Sequence, residues 1–116
     1  MSPSCAAVSL LFACSLGACA AGIPQPGSEE AALARTRWPD ATVAELHRGR
    51  ELYVSTCAGC HSLKPLDAVP PDRWTTEVAE MRAKKGVSLQ DRDAVLLVRY
   101  LWTAGTRLRE KRSASR

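Results

Sequence analysis

Cys57-Ala58-Gly59-Cys60-His61 is the one run in this chain whose spacing points to a single chemistry, and it closes a stretch patterned as a helix. Upstream, Thr42–Thr56 places Val43, Leu46, Arg50, Tyr53 and Val54 along one side of a helical repeat. Gly49 interrupts that helix, and a glycine there costs about 1 kcal/mol against alanine, so the position asks for a packing reason. The two thiols thus stand at a helix end with an imidazole directly after the second. A thioredoxin-type pair needs its cysteines at a helix start after a strand, and strand-like alternation is absent here. Zinc needs four ligands, and the mature chain would add only His47 and Cys19 to these three. A structural disulfide across two intervening residues is strained.

What remains is c-type haem attachment, for which C-x-x-C-H is the signature. Two thiols at this separation reach the two vinyl groups of one porphyrin, and the adjacent histidine lies beneath the iron as its fifth ligand. Small residues at Ala58 and Gly59 let the backbone run close to the porphyrin edge. For the sixth ligand, Met81 is the one methionine left once Met1 is lost with a leader. Pro70-Pro71-Asp72 marks a helix start with Asp72 as cap, and Gly86 marks its end. Between them Trp74, Val78 and Met81 fall at i, i+4 and i+7, a face suited to lie against haem. The alternatives to Met81 are ordinary core packing for that stripe, an open coordination position, or Lys84. His47, on the preceding helix, reads as a surface or satisfied histidine.

The amino-terminal segment carries no charged side chain from Cys5 to Ile23, and Ala6–Leu16 has the length of a signal-peptide core, too short to span a bilayer. Leu16-Gly17-Ala18-Cys19 is similar to a bacterial lipobox, which makes residues 1–18 a lipoprotein signal peptide and Cys19 the lipidated residue. Cleavage there removes Cys5 and Cys14. The alternatives are an ordinary signal peptide cut near Ala20 or Ala21, leaving a soluble periplasmic protein, and a buried amphipathic helix. Residues 19–40, with Gly22, Pro24, Pro26 and Gly27, read as a flexible tether, with a short helix over Glu29–Arg37 as the other reading.

After Gly86, Ser88-Leu89-Gln90-Asp91 is close to a capping box. It opens a helix with Val95, Leu96, Leu97, Val98, Tyr100, Leu101 and Trp102, apolar around much of its girth and so buried on more than one side.

Leu46-His47-Arg48-Gly49-Arg50-Glu51-Leu52-Tyr53, the haem motif and Tyr100-Leu101-Trp102 together resemble the class I cytochrome c domain, over roughly residues 42–104. The resemblance implies an all-α, cytochrome c-like fold of about three to four helices around one covalently bound haem c. It also implies that Gly49 lets Tyr100 of the last helix pack close, with Tyr53 beside them. In many members the methionine lies farther along, in a loop before the last helix; Met81 is nearer the motif and on a helix, as in small monohaem variants.

The 116 residues allow one small domain, here 41–106. The net charge of +4 is concentrated in residues 107–116, where five basic residues face only Glu110, so the preceding body is neutral. That distribution gives no basic face for nucleic acid and makes 107–116 a basic disordered tail. No serine, cysteine or histidine set remains for catalysis once Cys57, Cys60 and His61 are committed. The expectation is an electron-transfer protein, not an enzyme in itself, that carries single electrons between redox partner proteins on the periplasmic side of a bacterial membrane, held there by its lipid. The alternatives are a haem-based ligand-binding or sensor domain and a small cytochrome subunit of a larger oxidoreductase.

Overall fold

The computed structural model describes residues 22–58 and 64–116. Four α-helices carry the fold: α1 (Ser28–Arg35), α2 (Val43–Leu52), α3 (Trp74–Lys84) and α4 (Asp91–Ala114). Among the described residues there is no strand, so the all-α expectation holds.

Helix α2 begins at a reciprocal cap. The Thr42 hydroxyl accepts the Glu45 backbone N–H at 3.1 Å, and the Glu45 carboxylate accepts the Thr42 N–H at 3.2 Å. Its far end does not stop; it widens into a π-helical turn over Tyr53–Cys57, closed by the Ala58 N–H donating to the Tyr53 carbonyl at 2.9 Å. Such widened turns insert a residue and swing the side chains that follow, here the first motif cysteine.

The packing reason for Gly49 is its crossing with α4. A β-carbon at this position would lie 2.3 Å from the Leu96 carbonyl oxygen and 2.6 Å from Tyr100 Cβ, closer than atoms can sit. Tyr53 packs beside Tyr100, with ring centroids 6.2 Å apart. Around this crossing Leu52, Leu97, Tyr100 and Leu101 form the main core, continued by Trp74 and Val78 of α3.

Helix α3 is entered through a 3-10 turn at Pro71–Arg73, and Asp72 makes no cap; its carboxylate instead pairs with Arg37. Gly86, at φ 65°, turns the chain out of α3 as the sequence indicates. The capping box at the start of α4 does not form. Gln90 is the cap residue and makes no side-chain bond, and Asp91 pairs with Arg82 at 2.8 Å.

Among the described residues, both flanks of the body depart from the tether and disordered-tail expectations, and α1 matches the alternative of a short helix over Glu29–Arg37. Described residues of the 19–40 segment lie on the body instead of forming a tether. The Tyr100 hydroxyl donates to the Pro24 carbonyl at 2.7 Å, Arg50 Nη2 donates to the Ile23 carbonyl at 3.2 Å, and Ala31 and Ala34 of α1 are fully buried. Trp38 sets its ring edge-on to Trp102, centroids 5.4 Å apart, with Arg37 over both rings. Small alanines three apart give α1 a flat face that lies close to its neighbours without raising the segment's hydropathy.

The basic tail is not disordered either, because α4 runs on to Ala114. Arg107 pairs with Glu29 at 2.7 Å, with Glu30 and with Glu110, and Arg112 pairs with Asp67. Carboxylates distant in sequence thus face Arg107 and Arg112, which offsets part of the charge along this end of α4.

Candidate functional site

Between the π turn, α3 and the chain on either side of α3 lies a cavity of about 610 Å³, within the range of about 300–1,000 Å³ usual for ligand sites. Cys57, Trp74, Met81 and Val87 supply its apolar wall, and Thr56 and Lys64 stand at its edge. The π turn delivers Cys57, which is buried at 6% exposure and still lines the cavity. Burial, and then the charge of the Cys57 sulfur, push the neighbouring Tyr53 phenol above its ordinary pKa.

The expected stripe on α3 divides. Trp74 and Met81, two turns apart, both face the cavity, whereas Val78 is 3% exposed and packs into the core between α3 and α4. Met81 is half-buried. Met81 therefore lines the same cavity as Cys57. Lys84 also borders the cavity but is exposed and lies 3.8 Å from Glu80. His47 is exposed on α2 and is not part of this wall.

Cys60, His61 and Cys19 lie outside the described residues. Among the described residues no group of three His, Cys, Asp or Glu side chains could hold a metal ion.

Trp74 carries the most informative polar atom. The residue is 1% exposed, and its Nε1–H is buried with no acceptor among the described residues. An unpartnered buried N–H is costly, about 1–3 kcal/mol; this one lies against α4, where a β-carbon on Gly105 would come within 3.3 Å of it. Haem fits on these grounds: a cavity of cofactor size with more apolar than polar wall, lined by both Cys57 and Met81, and with Lys64, Lys84 and Lys85 at its edge to face a group that bears carboxylates. At the rim Lys64 pairs with Glu77 at 3.2 Å.

Sequence reasoning missed Gly105 and Leu66. A β-carbon on Gly105 would come within 2.8 Å of the Leu66 carbonyl oxygen and 3.3 Å of Trp74 Nε1, so this glycine lets the chain after the motif lie on α4. The signal was present as a glycine inside a long helix, the same signal that marked Gly49.

Two other cavities are lined by no cysteine, histidine or methionine. One of about 440 Å³ lies between α3 and α4, and one of about 140 Å³ lies under the Pro24–Pro26 strap beside Arg107. Among the described residues no helix is long and apolar enough to cross a membrane. Compared with known protein families, curated proteins and solved structures, the chain matches none.

Proposed function

We propose that this chain is a monohaem c-type cytochrome that carries single electrons between redox partner proteins outside the cytoplasm, held at a membrane by a lipid on Cys19. The observation that carries the reading is the cavity lined by both Cys57, the first residue of the C-x-x-C-H motif, and Met81, with the Trp74 side chain beside them. Cys57 and Cys60 would hold the group covalently, and His61 and Met81 would ligate its iron. When bound, haem supplies a one-electron ferric/ferrous couple. The Met81 thioether favours the reduced state and raises the potential, and two protein ligands leave little to rearrange on electron transfer. Trp74 and Val87 would cover the apolar face of the haem.

The lipid anchor is supported by the Leu16-Gly17-Ala18-Cys19 sequence. Ile23 is held by Arg50 on the body, so the four residues from Cys19 to Ile23 span at most about 14 Å. An anchored domain would stand at the membrane surface without a long arm.

An absorption spectrum of the exported protein tests the electron-carrier reading against the sensor reading. A carrier shows low-spin iron, a far-red methionine-to-iron band and slow CO binding. High-spin iron that binds CO quickly excludes it. Met81→Ala should abolish the far-red band and lower the potential; an unchanged spectrum excludes Met81 as ligand.

A further inference from the structure

We infer that the last turns of α4 clamp the segment between the two expected iron ligands, with Asp67 as the positioning residue and Arg109 and Arg112 as its holders. The inference rests on the haem reading above. The chain from His61 to α3 is short and rich in proline, and it connects the motif to the helix that bears Met81. Whatever fixes this connector fixes the spacing of the two ligands.

Three contacts fix it, all from one stripe of α4. Gly105 removes the side chain that would strike the Leu66 carbonyl. One turn on, Arg109 Nη1 donates to the Asp67 carbonyl at 2.8 Å. Arg112 then pairs with the Asp67 carboxylate, whose side chain is only 15% exposed. Leu66 and Val69, on either side, are buried at 6% and 4%. Asp67 is the one acidic residue between His61 and Asp72, so no neighbour on the connector can replace it.

The opposite stripe of α4 does different work. Tyr100 and Arg107 hold the amino-terminal strap through Pro24 and Glu29, and Lys111 borders the small cavity there. Residues 100, 107 and 111 and residues 105, 109 and 112 lie on different sides of a 3.6-residue helix. The basic run thus reads as a two-sided brace. Arg107 and Arg112 already face carboxylates of this chain, which leaves them less suited to lipid head groups.

The test uses the exported full-length protein with Asp67→Asn, Arg112→Gln, the double Arg109→Gln/Arg112→Gln, the charge swap Asp67→Arg/Arg112→Asp, and Lys111→Gln as the control on the other stripe. Two readouts are taken: the affinity of imidazole for the iron in place of Met81, and amide hydrogen exchange of residues 64–70. A charge-assisted contact predicts imidazole binding and loop exchange each raised about fivefold in the single variants and about tenfold or more in the double. The swap should restore part of the loss, and Lys111→Gln should match wild type. Exchange that is unchanged in the double variant overturns the clamp. Faster exchange with unaltered imidazole affinity overturns its role in ligand spacing. A wild-type protein without covalent haem defeats the functional reading, and the exchange data then decide the clamp alone.

Discussion

The crossing of α2 with α4 and the cavity side built on α3 are assembled from similar residues, yet one is complete and the other is not. At the crossing, backbone approaches backbone through Gly49, the Tyr100 hydroxyl has its acceptor in Pro24, and buried Thr103 donates to the Arg99 carbonyl at 2.7 Å. On the α3 side the wall encloses about 610 Å³, and the Trp74 N–H has no acceptor among the described residues. The first region holds itself together by contacts within the chain. On the proposed reading haem fills the second, and its stability should then depend on that ligand.

Breaking the first region should have the largest effect. Gly49→Val forces a side chain onto the backbone of α4 and should cost about 3 kcal/mol or more, read as loss of soluble protein or a sharply lowered Tm. Gly49→Ala, with a single methyl at the same contact, should be milder but still clearly destabilising.

Trp74→Phe sharpens the contrast, because it keeps an aromatic while removing an N–H that lies buried against α4 with no acceptor among the described residues. Its effect on thermal stability should be small, within about 1 kcal/mol, and alike in haem-loaded and in Cys57→Ala/Cys60→Ala protein. A cost confined to the haem-loaded protein would show that the bound group reaches the N–H.

Tyr100→Phe should cost about 1 kcal/mol and speed amide exchange in α1, without altering the haem spectrum. The same contact predicts an alkaline effect. Burial, opposed by Arg50 and reinforced by Tyr53, raises the Tyr100 phenol above its ordinary 10.0. The unfolded chain then ionises first, so this contribution is intact below pH 10.0 and declines as pH rises beyond it. Thermal melts across that range check the sign, and Tyr100→Phe should flatten the decline.

The smallest effect belongs to Glu30. Burial disfavours its charge, but the backbone N–H groups of Glu30 and Gly27 and the nearby Arg107 outweigh it and hold the pKa below 4.5. Its contribution is present above that value and is lost as pH falls through the lowered pKa. Glu30→Gln should remove a small part of the acid limb of the stability profile.

The sequence disclosed the helices and one of their two close contacts, because those signals are local. Gly49 stood out inside a helix, and the run Val95–Trp102 was too apolar to face water on every side. The ends of the chain were misread because their order comes from residues far away. Nothing near Arg112 announces Asp67, forty-five residues earlier, and nothing near Pro24 announces the Tyr100 hydroxyl. The site was half legible. Motif spacing pointed to Cys57, and elimination among the methionines with a helical stripe pointed to Met81, whereas the π turn that presents Cys57 and the buried Trp74 N–H exist only in three dimensions.

The central claim is that this cavity is a haem slot closed by the motif cysteines. Intact mass of the exported protein, measured for wild type and for Cys57→Ala/Cys60→Ala after acid–acetone extraction of loose haem, tests it most directly. The account predicts that wild type retains the mass of one haem and that the double variant retains none. A wild-type mass with no added haem, in cells that attach haem to a control cytochrome, would contradict it.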